Sequence, residues 1–394
     1  MFARHATRLF AIASGCWLHL AISAVAVATE PVLSNAELSV IQTHGPWPTP
    51  MPPDPGNEYS GLKWAEKVGE NLFFQTGLSA NGSVACSTCH VPDKGFSDAR
   101  PLALGIDQGF RNTQGLFDVG LQRWFGWDGG ADSLWAATVR PMLNKLEMGA
   151  SVTGLASYLR GNDDFIDSIN DNLSAQQDTP TTLELSDEAL VVLAAKTIGS
   201  YMRTLRSPVT PFDKFRDAVL TGDSEAAAQY PQSAFRGFKL FAGNANCSVC
   251  HFGANFSNKE FHDTGRPFFT GIGEVDPGRY RGIQRVRTDP YNLLGSYSQN
   301  ASDDARLKTA SVTLGQTNWG QWRTPSLRNL AYTAPYMHDG SLETLRDVVD
   351  AYADIDPSRL HSKGESILKP LTLTDAERND LVEFLLTLSA SPAD

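Results

Sequence analysis

Four cysteines and two histidines stand in two copies of one spacing. Cys86-Ser87-Thr88-Cys89-His90 and Cys247-Ser248-Val249-Cys250-His251 are both Cys-x-x-Cys-His. Two thiols at this spacing can add across the vinyl groups of a haem, and a histidine directly after the second thiol can reach the iron as proximal ligand. Two disulfides or a zinc site could use the same thiols. The adjacent histidine, present twice, favours c-type attachment. The spacing therefore predicts two covalently bound haems, with His90 and His251 on the irons. The fifth cysteine, Cys16, lies in a leader-like segment.

The elements that must position these motifs repeat. Gly69-x-x-Leu72-Phe73 precedes the first motif and Gly237-x-x-Leu240-Phe241 the second. A long excursion follows each, closed by an amphipathic helix. The first runs from Ser186 to Leu205, with Leu190, Leu193, Ala194, Ile198, Tyr201 and Met202 at helical spacing. The second starts near the capping box Thr374-x-x-Glu377 and continues through Leu381, Phe384, Leu385 and Leu388. Helix, motif, excursion and closing helix occurring twice predict a mainly α fold of two cytochrome c-like domains. The expected boundaries are 58–207 and 232–394, with a linker at 208–231. Residues 265–320, rich in Gly, Arg, Asp and Asn, are expected to form an irregular surface excursion, open to a partner.

The N-terminus reads as processing signal and arm. Arg4 and Arg8 precede a mostly apolar run from Leu9 to Val27, and Ala26-Val27-Ala28 is a small-x-small site. This predicts a signal peptide over 1–28 and, in a Gram-negative source, export to the periplasm. An uncleaved anchor is the alternative. Over 29–57 the prolines at 46, 48, 50, 52, 53 and 55 predict an extended arm rather than a helix. The full chain of 394 residues carries Lys+Arg 33 against Asp+Glu 44, a net −11. That balance argues against a nucleic-acid partner. Past the leader no apolar run is long enough to span a membrane.

From about Leu62 to Ala390, more weakly over 266–320, the chain resembles the di-haem cytochrome c peroxidase and MauG family. Besides the two motifs, the resemblance rests on two blocks. One is Phe125-Gly126-Trp127-Asp128-Gly129-Gly130 through Arg140-Pro141 to Glu147-Met148-Gly149. The other is Arg323-Thr324-Pro325-Ser326-Leu327-Arg328-Asn329 with Thr333-Ala334-Pro335-Tyr336-Met337-His338-Asp339-Gly340. The resemblance implies that Trp127 relays electrons between the haems. It implies that Glu147 moves the proton of hydrogen peroxide over an open haem held by His90, and that Pro141 lines the same distal pocket. A carboxylate whose pKa is raised by burial suits that task. Asn112, with the backbone carbonyls of Thr333 and Pro335, matches the family's inter-haem calcium site, and oxygen ligands suit calcium.

Three departures refine the resemblance. Conventional bacterial members carry a histidine in the loop after the first motif. The matching Leu104-Gly105-Ile106-Asp107-Gln108 has none, which leaves the first haem open. Conventional members place a methionine fourteen residues after the histidine matching His338. Here that position is Tyr352, as in MauG-like members, and a phenolate is a hard ligand favouring high-valent iron. Met337 and His338 are the rival sixth ligands. Finally, MauG has a tryptophan six residues before its second haem histidine, where this chain has Ala245. These features imply a periplasmic peroxidase that forms a high-valent, bis-ferryl-like state with peroxide. It would then oxidise a residue of a partner protein, most simply Trp, as MbnH-type relatives do. A conventional peroxidase drawing electrons from a small cytochrome or cupredoxin is the alternative, and a di-haem electron carrier is the third reading.

Overall fold

The computed structural model describes residues 32–390 apart from 174–184, 267–268, 272–273, 299, 357 and 359–367. The expected signal peptide lies outside the described residues. The chain is mainly helical, with short antiparallel pairs between Phe261–His262 and Trp322–Arg323 and between Phe269–Gly271 and Glu274–Val275.

Two hydrophobic cores form, each around a crossed helix pair. In the first, the Lys63–Phe73 helix packs on Asp187–Met202, started by Ser186, whose hydroxyl accepts from Ala189 N. In the second, the Gln232–Ala242 helix packs on Asp375–Leu386, started by the expected Thr374/Glu377 capping box. The repeated Gly-x-x-Leu-Phe signature sits at both crossings. A Cβ on Gly69 would lie 1.9 Å from the carbonyl oxygen of Thr197, and one on Gly237 1.9 Å from that of Asp380. Only glycine lets these backbones touch, while Leu72, Phe73 and Phe241 beside them are buried.

Three expectations about the connecting segments change. Residues 29–57 are not wholly extended: Asn35–Thr43 is helical, capped by Ser34 and Glu37 in a capping box, because no proline stands between Pro31 and Pro46. Ile41 of this helix belongs to the second core, and the proline run crosses from there to the first domain. Along the crossing, Arg216 donates to His44 O (2.8 Å), Arg206 to Thr49 O (2.9 Å) and Trp47 Nε1 to Ser207 O (3.1 Å). Trp47 is buried under Arg328, 3.5 Å from its ring. Residues 208–231 carry the helices Pro211–Thr221 and Ser224–Ala228, whose Phe212, Phe215 and Ala227 enter the second core. Their apolar spacing was hidden among the Pro, Gly and acidic residues that suggested a linker.

The excursion likewise carries helices, Arg279–Thr288 and Asp303–Ala310. Tyr291 and Tyr297 pack against the first core, and polar contacts supply much of the rest of its docking. Leu293 N and Thr309 Oγ1 donate to the buried Asp132 carboxylate (2.8 and 2.7 Å), and Lys308 reaches the carbonyls of Arg123 and Asp132. Hydrophobic periodicity cannot reveal docking of this kind.

Replacing Gly69 or Gly237 by alanine should each destabilise the protein by about 1–3 kcal/mol through overpacking. Denaturant unfolding of the holoprotein checks this, and an unchanged midpoint would mean the crossings have slack the structure does not show.

Candidate functional site

Two cavities open beside the two motifs. The first, about 1140 Å³, is lined by Cys86, Cys89 and His90 on one side and by Pro141 and Glu147 on another. The second, about 270 Å³, is lined by Cys247, Cys250, His251 and Tyr352, with Met337 and His338. Both histidines are set in the same way. Nδ1 of His90 donates to Phe96 O and Nδ1 of His251 to Phe256 O, each at 2.9 Å. A carbonyl can only accept, so each Nε2 keeps its lone pair for a metal. Burial lowers the pKa of both imidazoles, that of His251 to about 4, against the opposing carbonyl bond.

The donor set fits two haems. None of the four cysteines is in a disulfide. Burial pushes the Cys86 and Cys247 thiols up to about 12 and Cys89 up to about 11, so in the chain alone these side chains are neutral thiols. Among the described residues, no group of His, Cys, Asp and Glu side chains gathers as a metal cluster. Cationic donors lie at both cavities as well. Arg266 Nε at the second has no hydrogen-bond partner among the described residues, and Arg140 Nη1 at the first meets Asp128 Oδ1 only at 3.7 Å, without a hydrogen bond. A haem brings two propionates, which are suitable partners for such groups.

The distal side of the first cavity is built by one turn. Ser133 caps the Leu134–Leu143 helix, which carries Arg140 and Pro141 in its last turn. The chain then doubles back: Met148 N donates to Pro141 O (3.1 Å) and Gly149 N to Asn144 O (2.8 Å), with Gly149 at φ +63°. This leaves Glu147 half-buried at the cavity wall, its Oε1 accepting from Asn144 Nδ2 at 2.6 Å. The 104–108 loop lies against the same turn. Ile106 N donates to Glu147 O (2.8 Å) and Asp107 N to Leu146 O (3.0 Å). A Cβ on Gly105 would sit 2.4 Å from Glu147 O, so a side chain there is excluded while these bonds hold.

Trp127 lines both cavities. Its indole Nε1 donates to Asn112 O (2.8 Å), and its own carbonyl accepts from Arg323 N (2.9 Å). The next residue, Asp128, has no exposed surface and meets Arg111 at 2.8 Å, Arg285 at 3.2 Å and Arg140 at 3.7 Å. Burial opposes its charge, but these guanidinium groups prevail and hold the carboxyl well below the usual carboxylate range. Arg111 also forks onto Asp276 of the excursion (2.6 and 2.9 Å). Sequence reasoning passed over this cluster, although Asp128 sits inside the Trp-Asp-Gly block and Arg285 on an arginine-rich helix.

The remaining expected residues gather at the second cavity. Tyr352 is on the Leu345–Ala353 helix, which Thr344 and Asp347 start as a capping box. Burial pushes its phenol up to about 12, helped by Cys247 and Cys250, so a phenolate there needs a cation beside it. His338 stacks on Trp322 with centroids 3.7 Å apart, and its carbonyl accepts from Asn112 N (2.8 Å). Asn112, Thr333 and Pro335 all line this cavity, and Asn112 Nδ2 donates to Arg100 O (2.8 Å), which turns its oxygen away from that bond. Ala245 is buried and also lines the second cavity. His44 instead lies in the second core, stacked on Phe256 and bonded to Gly253 O.

The chain as a whole is similar to known proteins. Residues 64–221 match the family described as di-haem cytochrome c peroxidase. The chain is 30% identical to the cytochrome-c peroxidase IdrP1 of Pseudomonas sp. (strain SCT), covering 95% of this chain and 92% of that one. It is 30% identical to the methylamine utilization protein MauG of Methylorubrum extorquens, covering 97% and 93%. Among solved structures, a MauG-like protein associated with microbial copper homeostasis superposes with a TM-score of 0.64 at 25% identity, covering 88% of this chain and 98% of that one.

Replacing Asp128 by asparagine strands several buried guanidinium groups and should cost about 3–5 kcal/mol. Because the folded carboxyl is depressed, its contribution is full above the unfolded pKa of about 3.9 and is lost as pH falls towards the folded value. Acid unfolding of the parent protein should therefore steepen below about pH 4, and the variant should lack that phase. Parallel acid-unfolding curves would show that Asp128 carries no such linkage.

Proposed function

The chain belongs to the di-haem cytochrome c peroxidase and MauG family, and we propose that it is an exported, MauG-like peroxidase acting on a residue of a partner protein. The family assignment carries peroxidase activity and two haems. In this reading Cys86, Cys89, Cys247 and Cys250 would hold the haems as thioethers, and His90, His251 and Tyr352 would be the iron ligands. Each haem, when bound, supplies the iron chemistry that breaks or answers the O–O bond of peroxide.

The chain's own residues do the rest. Glu147 takes the proton from the near oxygen of peroxide and returns it to the departing one, which balances charge as the bond breaks. Its hydrogen bond from Asn144 fixes the carboxylate for that exchange. Pro141 narrows the space above. The 104–108 loop offers no imidazole, and its bonds to Leu146 and Glu147 hold it in place, so the oxidised protein accepts peroxide without prior reduction. Trp127 passes electrons between the two sites. Asn112, with the carbonyls of Thr333 and Pro335, would hold a calcium ion, which would stiffen the wall between them.

The observation that carries the reading is that the Trp127 indole lines both cavities while its N–H is pinned to a carbonyl. A hole that travels through protein need not meet its substrate in a pocket, which suits oxidation of a partner residue such as Trp at the surface. With Ala245 at the position where MauG has a tryptophan, the exit route differs from MauG's. Export places the enzyme in the periplasm, and no helix of the described residues is long and apolar enough to cross a membrane.

One equivalent of peroxide added to the fully oxidised holoprotein, without reductant, should change both haem spectra together within mixing time. Trp127→Phe should uncouple the two changes, and Glu147→Gln should slow the reaction by about 10²–10⁴-fold. A reaction that waits for one haem to be reduced would instead identify a conventional peroxidase fed by a small cytochrome or cupredoxin. Spectra untouched by peroxide would leave only an electron carrier.

A further inference from the structure

Among the described residues, each buried tryptophan has a cation over its ring. Arg328 lies 3.5 Å over Trp47, Lys196 5.3 Å over Trp135 and Arg111 5.2 Å over Trp322. Trp124 is held between two, with Arg279 at 4.6 Å and Lys308 at 4.7 Å. The first three cations are paired to carboxylates, of Asp213, Glu58 and Asp128 respectively. The pair around Trp124 bonds main-chain carbonyls: Arg279 those of Asp128 and Gly129, Lys308 those of Arg123 and Asp132. No carboxylate is hydrogen-bonded to either cation, although Asp128 and Glu260 attract Arg279, and Asp132 attracts Lys308, from farther away.

Trp124 stands three residues from Trp127, yet the two indoles meet opposite electrostatics. Trp127 gives its N–H to a carbonyl oxygen, and that bond strengthens when the ring becomes positive. Removing an electron from Trp124 would place a positive charge between two fixed ones, in a buried site where repulsion is weakly screened. We propose that Arg279 and Lys308 insulate Trp124, so that oxidising equivalents stay on Trp127 and do not leak into the neighbouring indole.

This rests on the reading that Trp127 carries electrons between the sites. Peroxide takes up two electrons and two protons and becomes two waters. Without insulation, Trp124 supplies those electrons and protons and captures one oxygen from water. The balance is Trp plus hydrogen peroxide giving hydroxytryptophan plus water. Arg279 and Lys308 are positioning residues: they bias where the hole rests and touch no substrate.

The test treats oxidised holoprotein with successive equivalents of peroxide, without partner or reductant. It follows peroxide consumption and maps the modified residues by peptide mass spectrometry. In the parent protein Trp124 should stay unmodified. In Arg279→Gln/Lys308→Gln it should gain oxygen about tenfold faster, the change that follows from about 1.4 kcal/mol. Arg279→Lys/Lys308→Arg keeps the charge and should restore protection, which separates charge from packing. Lys308→Gln alone, at a half-exposed position, should act in the same direction and covers a double variant that fails to fold. Peroxide consumed with Trp124 unmodified in the glutamine variants overturns the insulation alone. Peroxide not consumed by the parent protein overturns the insulation together with the peroxidase reading.

Discussion

A carboxylate with no exposed surface, Asp128, organises the region between the two cavities. Its charge is tolerable only because Arg111, Arg140 and Arg285 converge on it. Those partners come from the loop after the first motif, the helix bearing Pro141, and the excursion of the second half. One buried charge therefore fixes three segments at once, and Trp127 is its immediate neighbour in the chain. A hydrophobic cluster of that size would bind as well, but it would not dictate which segments meet or in what register. Buried ionic groups are weak sources of stability and can be strong sources of uniqueness. Here uniqueness means a fixed indole between two cofactor cavities.

The indoles of this region sit among charged and carbonyl groups: cations lie over the buried rings, whereas Trp127 gives its N–H to a carbonyl. Glu147 and Asn144, joined by a hydrogen bond, line the first cavity together with Trp127.

Much of this was legible in the residues. The two Cys-x-x-Cys-His units, the duplicated Gly-x-x-Leu-Phe signature and the Thr374 capping box report local geometry, and the structure places them as that geometry requires. The blocks around Trp127 and Glu147 were readable through their likeness to a family, and they meet at one cavity. What escaped was long-range and polar. The helices within 208–231 and the excursion are short and flanked by breakers, so propensity read them as connections. The docking of the excursion depends on Asp132, Asp128 and Asp276, and charge pairing across more than a hundred residues leaves no periodic trace. The helix at Asn35–Thr43 was overlooked because the prolines beyond it dominated the composition of that stretch, although Ser34 and Glu37 announced its start.

The strap formed by the proline run has a further meaning for how the molecule is made. The ring of His44 rests on Phe256, Trp47 lies under Arg328, and Ile41 fills the second core. Residues that leave the ribosome first thus find their places only against residues made much later. Contacts of such sequence separation close late, because the chain entropy of the intervening loop must be overcome before they form. The strap is therefore the clasp of the molecule, a segment near one end of the chain that fastens last across two halves whose own contacts are more local.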